Sequence, residues 1–163
     1  MHIMDCFNLF RIPEKLEESD MWYCRNCKNH VRAIKTMELW SVPDVLVIHL
    51  KRFMFNTYRR DKVELAVDFP LDSLDLSEHV KGDLPAGGAV YDCVAVSNHM
   101  GNLGGGHYVA AARNCNDGRW YKFNDSHTSV IDTSDVTSRD GLVSAYLLFY
   151  VRRDSKSGTS GGI

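Results

Sequence analysis

Residues 90–123 read VYDCVAVSNHMGNLGGGHYVAAARNCNDGRWYKF, and the order of elements within them decides the fold. Residues 90–96 form an apolar, β-branched run that reads as a strand. Residues 108–112 read as a second strand and 119–123 as a third. Asn116-Asp117-Gly118 separates the last two, and Asp-Gly is a hairpin signal because it reaches positive φ at little cost. Gly104, Gly105 and Gly106 punctuate the first connection. Three strands in succession with no helix between them predict an antiparallel sheet rather than alternating βαβ units.

The reading extends outward from there. Residues 45–50 (VLVIHL) follow Pro43-Asp44 and predict a buried strand, and 145–151 predict another. Residues 63–69 (VELAVDF) alternate apolar and polar side chains up to Pro70, again a strand pattern. Helix signals are short, one near 5–10 and one near 73–80. Residues 81–89 (KGDLPAGGA) read as a surface loop, and 154–163 (DSKSGTSGGI) as a flexible Gly/Ser tail. At 163 residues, one α+β domain, mainly antiparallel, is expected over residues 1–153.

Charge and composition narrow the function classes. With 19 Lys plus Arg against 21 Asp plus Glu, the net charge is −2, so there is no global basic field to attract nucleic acid or an anionic membrane. No apolar run approaches the ~20 residues that cross a bilayer, and the first residues carry no signal-peptide pattern. Five cysteines without an export signal predict reduced thiols in a cytoplasmic or nuclear setting.

Two constellations could carry chemistry. Cys24-Arg25-Asn26-Cys27 is a C-x-x-C knuckle, able to hold one side of a tetrahedral zinc. His30 offers a third ligand, but no second C-x-x-C pair occurs, so the bland alternative is two ordinary thiols. The second constellation is His107, which follows the glycine run and heads a strand. A histidine there can exchange protons with a peptide in the groove. On the neighbouring strand, Asn124 or Asp125 could accept a hydrogen bond from the imidazole and fix its tautomer. That is the base-and-orienter half of a nucleophile triad. The nucleophile is missing: no G-x-S-x-G is present, Cys93 reads as a core residue and Cys115 lies before a turn.

At these residues the chain resembles the ubiquitin-specific proteases, papain-like cysteine deubiquitinases. The matching stretches include MWYCRNCKNH, LWSVPDVLVIHLKRF, YDCVAVSNHMGNLGGGHYVAAARN, DGRWYKFNDS and SAYLLFYVRR. In detail it is most similar to the subgroup with a split catalytic domain that includes human paralogues 4, 11 and 15. The resemblance implies the fingers and palm of the catalytic domain, with the thumb subdomain absent. It implies His107 as the catalytic histidine and Asn124 as the third triad member, with Asp125 the acid that follows. Gly104, Gly105 and Gly106 resemble a loop over the channel for ubiquitin's C-terminal tail, and the segment after Phe53 up to about Lys62 resembles the other such loop. Tyr108 would line the channel. Cys24 and Cys27 match the second of two zinc-binding pairs, so a structural zinc would be half-provided, and catalysis needs no cofactor. The Cys box appears nowhere. The expected partners are ubiquitin, ubiquitinated proteins and the missing thumb. The expected activity is thiol-dependent hydrolysis after ubiquitin's terminal glycine by the parent protein, with these 163 residues inactive alone. The alternative is a ubiquitin-binding module that does not cut.

Overall fold

The structure, a computed structural model, describes residues 1–55, 60–102 and 104–153. The expected tail at 154–163 and part of the segment before Lys62 therefore lie outside the described residues.

The chain opens with helix α1 (Ile3–Phe10). His2 caps it: its Nδ1 accepts from the Met4 amide at 3.2 Å, and Asp5 returns a carboxylate to the His2 amide at 2.8 Å. Two small ribbons follow, β1 (Glu14–Lys15) paired with the later β4 (Ile34–Lys35), and β2 (Trp22–Cys24) paired with β3 (Asn29–Val31). The expected knuckle is the turn between β2 and β3. Next come β5 (Val45–His49), the hairpin strands β6 (Phe53–Phe55) and β7 (Arg60–Lys62), and β8 (Leu74–Asp75). The long strand β9 (Val90–Asn102) turns into β10 (Gly105–Arg113), then β11 (Trp120–Asn124) and β12 (His127–Ile131). Two short helices, α2 (Thr133–Val136) and α3 (Arg139–Ser144), lead into the last strand, β13 (Ala145–Arg152).

The main sheet runs β12-β11-β10-β9-β13-β5, with β8 also paired to β9, and every pairing is antiparallel. Among the described residues, the outer edge of β5 pairs with nothing. One face of the sheet carries the core. Val96, Ala111, Trp120 and Leu148 point into it and meet Ile3, Phe69, Leu74, Leu76 and Val136. Each fully buried aliphatic there contributes about 1.5–3 kcal/mol. Tyr91 and Tyr150 are wholly buried, yet each hydroxyl donates to a carbonyl, that of Pro43 and of Pro70 respectively. Burial raises both phenols' pKa values.

Residues 45–50, expected as a buried strand, supply instead the edge strand β5, exposed at Val45, Val47 and His49, and two further expected elements take another form. Residues 63–69 are not a ladder strand. The alternation holds at its end, where Val67 and Phe69 are buried with Asp68 exposed between them, but fails at Leu65, which is exposed, and among the described residues the bridge made here is His2 to Asp68. The carbonyls of Val63 and Leu65 go instead to Arg52, whose guanidinium also reaches Leu142 and Ala145. Residues 73–80 contain no α-helix. Leu74 and Leu76 are both buried, which is strand spacing. Asp75 then accepts from the Ser77 amide at 2.9 Å, and one 3₁₀ turn follows at Ser77–His79. That local side-chain bond competes with a helix. The loop at 81–89 is as expected, with Gly87 and Gly88 at positive φ.

Candidate functional site

Strand alternation decides which side chains meet. On β10, His107, Val109 and Ala111 point to one face, and Tyr108 and Ala110 to the other. The ladder sets Ala111 opposite Lys122 and Ala110 opposite Phe123. Asn124 therefore shares the face of His107, one diagonal step away. The two side chains meet: His107 Nε2 lies 2.5 Å from Asn124 Oδ1. Because an amide oxygen only accepts, this contact places a proton on Nε2. Nδ1 then carries the lone pair, and among the described residues it has no hydrogen-bond partner. A partly exposed imidazole held in this tautomer can take a proton from an acid arriving at Nδ1.

Asp125 is the first residue of the turn between β11 and β12, at φ 51°. Its carboxylate is 3.9 Å from His107 Nε2 and 81% exposed. At that distance and exposure it adds a modest field and does not replace the Asn124 contact. The three sequence-derived candidates thus converge on one corner of the sheet.

The glycine run is not wholly a loop. Gly105 and Gly106 are already in β10, opposite Asn102 and Gly101, and Gly104 donates its amide to Asn102 Oδ1 at 2.9 Å. Nothing lies within 4 Å of where a Gly105 Cβ would sit. Gly106 is the position with a close approach, and the neighbour is the ring of His99 rather than another chain. Tyr108 is exposed on the opposite face from His107, beside His99 and Tyr146. A cleft of about 530 Å³ runs from Met100, the partner of His107, across Val109, Lys122 and Ser129 to Asp140 on α3. It continues the His107 face.

No thiol sits beside the imidazole. Cys93 lies near the start of β9, roughly 20 Å along the strand from Met100 at the usual strand rise. Burial pushes its pKa up to about 12, so it stays protonated. Cys115 is in the turn beyond the far end of β10, and Cys6 is in α1.

Cys24 and Cys27 are joined by a hydrogen bond that holds the Cys24 thiol below its ordinary pKa and the Cys27 thiol above it. His30 does not join them. It pairs with Tyr23 across the β2–β3 ladder and packs edge-on against that ring at 5.3 Å, on the other face from Cys24. Among the described residues no group of three His, Cys, Asp or Glu side chains could hold a metal.

The ubiquitin carboxyl-terminal hydrolase family model matches residues 9–150. This chain belongs to that family. Its relatives in the ubiquitin carboxyl-terminal hydrolase family include ubiquitin carboxyl-terminal hydrolase 15 of Homo sapiens, 49% identical over 157 residues. That match covers 96% of this chain and 16% of the relative. Ubiquitin carboxyl-terminal hydrolase 4 of Pongo abelii is 46% identical over 169 residues, covering 98% and 17%. Among solved structures, a chain of the SAGA Ubp8/Sgf11/Sus1/Sgf73 DUB module bound to ubiquitin aldehyde superposes with a TM-score of 0.74 at 29% identity. It covers 92% of this chain and 33% of its own length. The chain thus spans about a sixth of the length of the curated relatives it matches. The mainly antiparallel fold with few helices is that of this family's catalytic domain.

Sequence reasoning missed several residues around this corner. Arg52, Lys62 and His99 hold the backbone, and only the run LKRF and the isolated Lys62 hinted at them. The strand β12 and the caps of α2 and α3 also escaped it. The signal that could have found the caps is the residue type at the cap positions, Asp132 and Ser138: Asp135 accepts from the Asp132 amide and Ser138 from the Gly141 amide.

Proposed function

We propose that this chain is the base-bearing part of a cysteine deubiquitinase that hydrolyses the isopeptide or peptide bond after ubiquitin's C-terminal glycine. The observation that carries the reading is the 2.5 Å contact between His107 Nε2 and Asn124 Oδ1, which leaves Nδ1 without a hydrogen-bond partner among the described residues. A thiol from polypeptide outside these residues gives its proton to His107 and attacks the glycine carbonyl. The tetrahedral intermediate collapses to a thioester while the imidazolium protonates the departing amine. Water, deprotonated by His107, then attacks the thioester and releases carboxylate and thiol. Asn124 orients the ring through both steps. Asp125 adds negative potential beside the imidazolium. Gly105, with nothing within 4 Å of where its Cβ would sit, leaves open space at the tip of the β9–β10 hairpin, suited to a diglycine tail, while Tyr108 stands on the opposite face of the sheet from His107.

Ubiquitin as partner is carried over from the Ubp8 module, which is solved bound to ubiquitin aldehyde. Cys24 and Cys27 supply two ligands of a structural zinc whose other pair lies outside these residues. Five free thiols suit the cytoplasm or nucleus, and no helix among the described residues is long and apolar enough to cross a membrane.

The test is hydrolysis of a ubiquitin–fluorophore conjugate by the protein carrying both this chain and its nucleophile. Loss on His107→Ala supports the role; equal hydrolysis by both proteins rejects it. The burial of Cys93 within β9 and the absence of any hydrogen bond between a thiol and His107 among the described residues support a second reading for the 163 residues alone, that they bind ubiquitin without cutting it. Ubiquitin titrated into the isolated chain, followed by calorimetry, checks this.

A further inference from the structure

The sheet corner that carries His107 is braced from its opposite face. His99 on β9 pairs with Tyr108, so its ring lies behind the strand from His107. That ring is only 4% exposed. It stands edge-on to Phe53 at 5.3 Å and lies 4.7 Å from the ring of Tyr108. A methyl built on Gly106 would fall 2.2 Å from His99 Nε2, so the imidazole packs directly on the backbone of the residue before His107. Lys62, the last residue of β7, donates from Nζ to the carbonyl of His99 at 2.6 Å and to that of Gly101 at 3.1 Å. The β6–β7 hairpin thus reaches His99 twice, through Phe53 on the ring and Lys62 on the carbonyl.

The hairpin between β9 and β10 needs such a brace. Gly101, Gly104, Gly105 and Gly106 give it almost no side chains of its own to pack, and glycine loses the most conformational freedom on ordering. Among the described residues, the hydrogen bonds onto its backbone from beyond the β9–β10 ladder both come from Lys62. Burial, aided by the Lys62 ammonium, holds His99 below its ordinary pKa. The neutral ring suits a site where its Nδ1 is buried without a partner.

We propose that Lys62 and His99 are positioning residues, a strut that ties the β6–β7 hairpin to the backbone of Gly106 and sets where His107 stands relative to the groove. The importance of that position rests on the reading of His107 as the base. Displacement of a catalytic group by about 1 Å can cost 10²-fold in rate, so fixing the hairpin matters as much as fixing the ring.

The experiment is amide hydrogen exchange by NMR on the 163-residue chain, with the His107 Cε1–H resonance recorded alongside. Lys62→Met keeps the stem and removes the donors, while Lys62→Arg keeps donors. His99→Phe keeps ring volume, while His99→Ala removes it. The ladder amides from Met100 to His107 should exchange at least about tenfold faster in K62M and H99A, with Val96 and Ala111 unchanged and the His107 resonance shifted. K62R and H99F should restore most of the protection. The proposal is overturned if K62M leaves the tip amides and the His107 resonance as in the wild type, or if K62R behaves as K62M does. Acceleration equally at Val96 and Ala111 marks a general structural role and also overturns it. No step of this readout needs hydrolysis, so failure of the strut and failure of the protease reading are separate outcomes.

Discussion

His107 Nε2 and Asn124 Oδ1 lie 2.5 Å apart on adjacent antiparallel strands. The amide oxygen accepts a hydrogen bond from the proton that the ring keeps on Nε2, so Asn124 selects the tautomer whose Nδ1 is basic. In the protein carrying both this chain and its nucleophile, Asn124→Ala should lower turnover of a ubiquitin–fluorophore substrate by roughly 10²-fold, and His107→Ala by up to about 10⁴-fold, the span of positioned acid–base catalysis. Asn124→Asp, which also accepts, should retain more activity than Asn124→Ala. Equal kcat for all three variants and the wild type would dismiss the pairing.

The glycines of the hairpin are not equivalent. A Cβ on Gly106 would meet His99 Nε2 at 2.2 Å and the Met100 carbonyl at 2.7 Å, whereas one on Gly105 meets nothing within 4 Å. Gly106→Ala should cost about 1–3 kcal/mol, the usual penalty of overpacking. Gly105→Ala should stay within about 0.5 kcal/mol, as at other open surface positions. Urea unfolding midpoints of the two variants check the contrast, and similar midpoints would contradict it.

Arg52 is 3% exposed and hydrogen-bonds to the carbonyls of Val63, Leu65, Leu142 and Ala145, with no carboxylate among them. Arg52→Met leaves the buried carbonyl of Ala145 and the partly buried ones of Val63, Leu65 and Leu142 without their donor, and a buried unsatisfied group costs about 1–3 kcal/mol. Loss of cooperative unfolding, or a midpoint drop larger than that of Gly106→Ala, is the expected result. Arg52→Lys should recover only part of the stability, because an ammonium lacks the planar fork.

Acid should weaken the fold through His99. Burial and then the Lys62 ammonium hold its pKa down, so the folded state refuses a proton that the unfolded chain accepts near its ordinary value of about 6.5. Stability conferred above that value is lost as pH falls from it toward the folded pKa. His99→Phe lacks this dependence. Between about pH 7.5 and 5.5, where a free imidazole charges, the thermal midpoint of the wild type should fall further than that of the variant. Parallel curves would exclude His99 as the source.

Zinc affinity of the isolated chain should be weak. Two thiols fill half of a tetrahedral site, and no third ligand joins them among the described residues. Metal loaded on the chain should pass to EDTA within a buffer exchange, measured by elemental mass spectrometry. Stoichiometric zinc that survives the chelator would show that another residue completes the site.

The sheet was legible where each strand could be read from its own residues. Residues 90–96, 108–112 and 145–151 lie in strands, as do residues 120–123 of the expected 119–123, and His107 and Asn124 meet as the hairpin register required. Residues 63–69 misled because alternation reports burial, not hydrogen-bond partners. The partner that displaced the ladder was the guanidinium of Arg52, 11 positions from Val63 and 93 from Ala145. The strut at His99 and Lys62 was hidden for the same reason, since a lysine bonded to two carbonyls leaves no periodic trace. Helices α2 and α3, of 4 and 6 residues, are too short for an apolar period to emerge.

The unpaired side of β5 has a practical outcome for anyone handling the chain by itself. It offers a row of open amides and carbonyls flanked by exposed Val45 and Val47, the kind of template on which identical molecules zip together. Concentrated stocks should grow filaments or amorphous precipitate from this border. A lysine or proline introduced at Val47 is the natural solubilising handle for crystallographers and spectroscopists alike.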